Sequence, residues 1–208
     1  TNTLRALGNI SAELEIIKGL TFKTLVGIDR SFASRKAAFS RDLNVTGVNG
    51  KGRLFVGDVE IDNRLWENYF TYNKEFGKTR LNALLGYSYQ QFVNSGRTYE
   101  FTNFRTSDLD LMINNFASAD QRPDLNNNRS VVGRNSFRTQ DELQSFFGRV
   151  NLSFADKYLF TATLRADGST RFGGNNKYGY FPSFSFKWRL GDEDFIPAFF
   201  DDLSLRLG

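Results

Sequence analysis

The feature that most constrains this sequence is an alternation of apolar and polar residues that persists over long stretches. From Leu4 to Ile16 every second residue is apolar or small, and the residues between them include Arg5, Glu13 and Glu15. Successive side chains of a β-strand point to opposite faces, so this period of two predicts a strand with one apolar and one polar face. Most strands of soluble sheets have about five or six residues. Strands of about ten residues are long enough to cross the hydrocarbon layer of a membrane when tilted.

The alternation recurs along the chain and predicts about eight strands. They cover residues 4–16, 20–29, 63–74, 81–90, 145–154, 158–167, 180–190 and 203–208, and the third alternates least cleanly. Short turns at Lys18, Gly77 and Asp156 alternate with longer polar segments. This connectivity is typical of outer-membrane barrels, which have short turns on one side and long loops on the other.

Two of the polar segments are expected to contain a short helix. In the first, Ser107 is placed to cap a helix that ends near Phe116, where the apolar residues fall at helical spacing. We expect this helix to pack its own loop rather than bind a partner. The second short helix is expected within residues 191–202.

The composition excludes several other classes of protein. The 208 residues contain no cysteine and no histidine, which removes thiolate and imidazole chemistry. The formal charge is +4, and Lys and Arg are scattered among Asp and Glu, so nucleic-acid binding is not expected. No acidic pair has the spacing of a calcium loop. No stretch approaches the roughly 20 apolar residues of a membrane-spanning helix. We therefore expect no enzyme, no cofactor and no metal site.

The two faces of the predicted strands have a physical interpretation. Lipid cannot hydrogen-bond to a backbone, so a spanning sheet closes on itself with apolar side chains outward and polar ones toward the lumen. We therefore expect one set of side chains to face lipid, namely Phe160, Leu164, Phe184 and Phe186. The opposite set should face the lumen, namely Thr163, Arg165, Ser185 and Lys187.

The stretch from Asp156 to Ser183 resembles a known family. It reads DKYLFTATLRADGSTRFG from Asp156 to Gly173 and NNKYGYFPS from Asn175 to Ser183, after FGRVN at 147–151. These residues closely resemble the barrel region of the SusC/RagA-like TonB-linked outer-membrane proteins. The segments 18–22 and 67–90 are similar to that region as well.

The resemblance implies a nutrient transporter of the Gram-negative outer membrane. Such a transporter is a plugged barrel of about 22 strands. It imports oligosaccharides or peptides with energy passed on by TonB, and it pairs with a SusD-like surface lipoprotein. Residues 1–208 would then be part of one antiparallel transmembrane β-barrel domain. The plug domain, the segment that contacts TonB and the remaining strands are expected to lie outside this sequence.

Four cations on the polar face are candidates for contact with substrate or with the plug. They are Arg149, Arg165, Lys187 and Arg189. The alternative interpretation is that they pair with Asp and Glu residues of the barrel wall.

Three rival architectures remain open at this point. A complete eight-stranded barrel and a passive porin share the strand pattern, and a soluble β-sandwich that binds a ligand shares the alternation. A plug domain and a TonB-interacting segment upstream would distinguish the transporter from the porin.

Overall fold

A computed structural model of the chain describes residues 1–46, 48, 50–119, 131–173, 177–197, 199 and 203–208. Eight strands form one sheet in which each strand neighbours the next along the chain, as the alternation predicted. The strands are β1 (Asn2–Ile17), β2 (Leu20–Phe39), β3 (Arg53–Phe76), β4 (Thr79–Thr102), β5 (Val131–Phe154), β6 (Tyr158–Ser169), β7 (Tyr178–Arg189) and β8 (Ser204–Leu207). The all-β antiparallel fold is thereby confirmed. No helix among the described residues is long and apolar enough to cross a membrane.

Strands β2 to β5 are much longer than the sequence predicted. β3 begins at Arg53 rather than near residue 63, and β5 begins at Val131 rather than near residue 145. In the extensions of β2, β4 and β5 polar side chains occupy both faces, so the alternation disappears although the strands continue. In the β3 extension Val59 and Ile61 still alternate with Asp58 and Glu60. The ion pairs Arg30–Glu60 and Arg53–Glu100 join neighbouring strands there.

The helix in the loop between β4 and β5 is shorter than predicted and is capped differently. Helix α1 spans Leu109–Asn114, and its cap is Asp108 rather than Ser107. The Asp108 carboxylate accepts hydrogen bonds from the backbone N–H groups of residues 110 and 111, at 2.9 and 3.1 Å. Met112 is fully buried with Leu54 and Phe104. The helix thus packs against Phe104 of its own loop and against Leu54 of β3.

Consecutive connections of an antiparallel meander lie at opposite edges of the sheet, so β1–β2, β3–β4, β5–β6 and β7–β8 are joined at the same edge. We call it the short-turn edge. Ala155 and Asp156 have positive φ angles of 51° and 57°. Lys157 N–H donates to the Phe154 carbonyl at 3.1 Å, which closes a tight turn within the three-residue connection between Phe154 and Tyr158.

The β7–β8 connection is the exception to the predicted alternation of short and long connections. It occupies the short-turn edge but runs from residue 190 to residue 203. A 3-10 turn at Leu190–Asp192 replaces the expected short helix. Residues 198 and 200–202 of this connection lie outside the described residues.

The register of β6 and β7 confirms the predicted sharing of faces. Phe160 pairs with Phe186 and Leu164 with Pro182. The Phe160 and Phe186 rings lie 4.7 Å apart between centroids. Arg165 and Lys187 alternate with these residues and therefore project from the other face.

The chain divides into two compact units. The first consists of Thr1–Leu7, Asp29–Asn63 and Phe92–Gln140, and it contains the buried cluster around Met112. The second consists of Gly8–Ile28, Arg64–Gln91 and Asp141–Gly208, and it contains all four candidate cations.

Candidate functional site on the polar face of the second unit

The four predicted cations share the polar face of the second unit, but the structure does not bring all of them together. Arg149 pairs with Thr163 in the middle of the strands, and Arg165 pairs with Phe147 farther from the short-turn edge. Lys187 and Arg189 are two residues apart at the end of β7, so they form a separate group at the short-turn edge.

Arg165 is held by other residues of the wall. Its Nε lies 2.8 Å from the Asp167 carboxylate, and its Nη2 donates to Ser145 Oγ at 3.1 Å. The guanidinium carbon also lies 5.7 Å from the centroid of the Phe147 ring. Ser145 is only 1% exposed, so its hydroxyl anchors Arg165 to the sheet. The pairing with Asp167 corresponds to the alternative interpretation given above for these cations.

Lys187 and Arg189 form a basic group with a residue that the sequence did not single out. Arg206 of β8 is the direct cross-strand partner of Lys187, and Arg189 is the partner of Ser204. The order Leu205, Arg206, Leu207 does alternate, so a signal was present. β8 has only four residues, and the position of Arg206 beside Lys187 follows only from the register.

An uncharged hydrogen-bond ladder crosses four strands of the same face. Asn82 Nδ2 donates to Asn73 Oδ1 at 2.6 Å, and Asn151 Nδ2 donates to Asn82 Oδ1 at 3.0 Å. Thr161 Oγ1 then donates to Asn151 Oδ1 at 2.9 Å. We call these four residues the amide ladder. Sequence alternation placed all four of them on polar faces but gave no indication of the contacts.

An aromatic residue interrupts the polar face. Phe181 is the cross-strand partner of Arg165 and is 57% exposed. It offers a flat apolar contact beside groups that donate and accept hydrogen bonds.

A second polar cluster fixes the β7–β8 connection at the short-turn edge. The Glu193 carboxylate accepts hydrogen bonds from Lys157 Nζ at 2.9 Å, Tyr158 OH at 2.8 Å and Trp188 Nε1 at 3.0 Å. These three hydrogen bonds lower the pKa of Glu193 to about 2, and the bond from Lys157 has the largest effect. The Trp188 ring stacks on the Tyr158 ring at 5.9 Å. The sequence did not reveal this cluster.

The opposite face of the second unit is apolar and uncovered. Leu164 and Phe184 are 54% and 58% exposed, and Phe146, Val150 and Phe154 are exposed as well. Contiguous apolar patches beyond a few hundred Å² are rare on soluble monomers and mark contact with a membrane or another protein. Among the described residues, no group of three or more acidic side chains is placed to hold a metal ion.

Comparison with known proteins gives three informative matches. No protein-family model matches the chain. TonB-dependent receptor P3 of Formosa agariphila is 36% identical over 195 residues, which cover 94% of the chain and 18% of that receptor. TonB-dependent receptor SusC of Bacteroides thetaiotaomicron is 44% identical over 75 residues, or 35% of the chain and 8% of that receptor.

The structure of the RagAB peptide transporter matches with a TM-score of 0.80 at 20% sequence identity. The match covers 92% of this chain and 20% of that one, and it supports the fold. The chain therefore spans less than a fifth of the length of the curated relatives described here.

Proposed function

Since the chain belongs to the SusC-like TonB-dependent receptors, we propose that it forms part of the barrel wall of an outer-membrane transporter that imports oligosaccharides or peptides. Residues 1–208 then belong to one barrel domain, and the plug and the other strands belong to the rest of the protein. The relatives carry the names of receptors, and the role proposed for this chain is transport rather than catalysis.

The observation that carries the proposal is the division of the second unit into an apolar and a polar face. Burying a Leu or Phe side chain is worth about 1.5 to 3 kcal/mol, so leaving a whole face of them in water is strongly unfavourable. Lipid removes this cost without any protein partner. The backbone hydrogen bonds between strands leave no unsatisfied N–H or C=O groups in the hydrocarbon layer, except along the first and last strands. A closed barrel pairs those two strands as well.

The polar face suits the proposed substrates. The amide ladder and the Arg165–Asp167 pair supply hydrogen-bonding groups, and Phe181 supplies a ring on which a sugar or a peptide side chain can pack. Both substrate classes present hydroxyl or amide groups beside apolar surface. The RagAB structure is described as a peptide transporter, which is compatible with the second class.

The partners follow from the same family assignment. We propose a SusD-like surface lipoprotein that delivers the substrate, and TonB acting through an N-terminal segment outside these residues. The location proposed for the chain is the outer membrane, with its apolar face in lipid.

Uptake by the full-length protein tests this function. A strain that lacks the gene should lose growth on one class of defined glycans or peptides, and the full-length gene should restore it. Uptake of the labelled substrate should stop when an uncoupler dissipates the proton-motive force, because TonB draws its energy from the inner membrane. Uptake that continues in the presence of the uncoupler would identify a passive porin instead.

A further inference from the structure

A row of aromatic rings follows the short-turn edge on the apolar face of the second unit. The Phe154 and Tyr158 ring centroids lie 6.3 Å apart, and those of Tyr158 and Trp188 lie 5.9 Å apart. Trp188 is two residues from Phe186 on β7, so both side chains project from the apolar face. Phe195 lies 6.4 Å from Trp188. The row therefore continues from the strands onto the β7–β8 connection.

Glu193 folds this connection toward the apolar face. Its carboxylate accepts hydrogen bonds from Tyr158 OH at 2.8 Å and from Trp188 Nε1 at 3.0 Å, and both donors belong to rings of that face. Lys157 Nζ, at 2.9 Å, balances the charge of the carboxylate. If the connection were folded over the polar face, the sheet would separate Glu193 from these two rings. The first part of the connection therefore lies beside the rings.

Backbone hydrogen bonds hold the connection in this position. Gly191 N–H donates to the Leu203 carbonyl at 2.9 Å, which closes the base of the connection. Ile196 N–H donates to the Glu193 carbonyl at 3.1 Å, which closes a four-residue turn. Phe195 is the third residue of this turn. Its ring is therefore presented by a closed turn whose first residue is fixed by three side-chain donors.

The connection presents aromatic rings that are favourable in an apolar layer. Phe195 is 67% exposed, and Phe199 is 88% exposed. Transfer of apolar surface from water into an apolar environment is favourable. Trp and Tyr are enriched at membrane surfaces, where the ring contacts hydrocarbon and the N–H or O–H group contacts polar partners. Tyr158 and Trp188 have this arrangement, since their polar atoms donate to Glu193.

We propose that the β7–β8 connection is a membrane-surface anchor, which lies outside the barrel wall in the phospholipid headgroup layer and inserts Phe195 and Phe199 toward the acyl chains. The inference rests on the proposed transporter function, which puts the apolar face in lipid. Phospholipid is the occupant because the aromatic row is continuous with that face and the connection is folded toward it. The anchor fixes the depth of the short-turn edge in the membrane.

Spin labels measure the depth of the connection in the full-length protein, reconstituted in vesicles of phosphatidylethanolamine and phosphatidylglycerol. The 208 residues contain no cysteine, so Phe195→Cys and Phe199→Cys each introduce one nitroxide site, and cysteines elsewhere in the protein are replaced by serine. Each variant keeps the other ring. Oxygen concentrates in hydrocarbon, whereas a nickel chelate stays in water, so the ratio of their collision rates with the label reports depth.

Two reference labels calibrate the measurement. Phe184→Cys marks the apolar face, and Lys78→Cys marks an exposed residue of the β3–β4 turn at the same edge. The ratio of oxygen to nickel collisions should be several times higher at Phe195 and Phe199 than at Lys78, and lower than at Phe184.

Two outcomes would overturn the proposal. Labels at Phe195 and Phe199 that meet nickel as often as the Lys78 label would place the connection in water. Labels shielded from both oxygen and nickel would show that another protein segment covers it. Either outcome with the Phe184 label in hydrocarbon rejects the anchor alone. A Phe184 label exposed to nickel would instead contradict the lipid contact on which the proposed transporter rests.

Removal of the rings supplies a second readout. A label at the exposed Pro197, introduced by Pro197→Cys, should gain nickel accessibility when it is combined with Phe195→Ser and Phe199→Ser. Phe172→Ser is the matched control, since Phe172 is 50% exposed and belongs to the β6–β7 connection at the opposite edge. This control should leave the Pro197 label unchanged. An equal response to the double variant and to Phe172→Ser would contradict the proposal.

Discussion

Replacing Phe184 by arginine tests whether the apolar face of the second unit contacts lipid. Phe184 lies in the middle of β7, pairs with Ala162 and is 58% exposed. Ser185 is the next residue and projects from the polar face, where it pairs with Thr161. Ser185→Arg is therefore a matched control with the same introduced charge at the same depth.

The expected cost has two parts. An arginine on the lipid face of a barrel costs about 2 to 4 kcal/mol near the bilayer midplane. Loss of the phenyl ring removes a contact worth about 1.5 to 3 kcal/mol when fully buried, and the exposed 58% corresponds to about 1 to 2 kcal/mol. Phe184→Arg should therefore lower the free energy of unfolding by about 3 to 6 kcal/mol, and Phe184→Ala by the second part alone. Ser185→Arg should change it by less than about 0.5 kcal/mol, as is usual for solvated surface sites.

Urea-dependent unfolding of the full-length protein in lipid vesicles measures these differences, with heat-modifiable migration on gels as the readout of folded barrel. The yield of folded protein in the outer membrane gives a second measure. If Phe184→Arg and Ser185→Arg lose stability equally, the two faces do not differ in environment. The assignment of the aromatic face to lipid would then be wrong.

Three further predictions concern the short-turn edge. Gly77→Ala should lower the free energy of unfolding by about 1 to 2 kcal/mol, because Gly77 has a positive φ angle. Gly19→Ala should lower it further in denaturant unfolding, because an added Cβ there also overlaps the backbone carbonyl of Asn73. Ala155→Gly should raise stability by about 0.5 to 1 kcal/mol, since relief of the left-handed conformation exceeds the entropy cost of glycine; a loss of stability would contradict this. Because its three donors hold the pKa of Glu193 near 2 rather than 4.5, the stabilisation by Glu193 should be complete above about pH 4.5 and disappear as the pH falls toward 2. The Nε1–H NMR signal of Trp188 should follow this titration, and Glu193→Gln should abolish it.

The fold could be predicted where the two faces of a strand differ in environment. β6 and β7 alternate along their lengths, so their boundaries and their facing followed from the sequence. The outer parts of β2, β4 and β5 could not be predicted this way, because polar side chains lie on both of their faces. Cross-strand ion pairs such as Arg30–Glu60 join neighbouring strands there, and such pairs are visible only when the register is known.

The sequence predicted which residues of the candidate site lie on the polar face, but not which of them contact one another. Alternation placed Arg165 and Lys187 on one face, yet it did not indicate that Asp167 and Ser145 hold Arg165. The contact of Glu193 could not be predicted either, because Lys157, which donates a hydrogen bond to it, is 36 residues away in the sequence. Contacts across strands depend on register, and register becomes clear only when both strands are aligned.

The amide ladder bears on how salt concentration affects the contacts between these strands. Its three links between Asn73, Asn82, Asn151 and Thr161 use amide and hydroxyl groups only. Exposed ion pairs weaken as dissolved salt screens them, over a Debye length of about 8 Å at physiological ionic strength. The ladder carries no charge to be screened, so its hydrogen bonds should be equally strong at high and low salt concentration. The contacts that join β3, β4, β5 and β6 on this face should therefore be insensitive to the ionic strength of the medium.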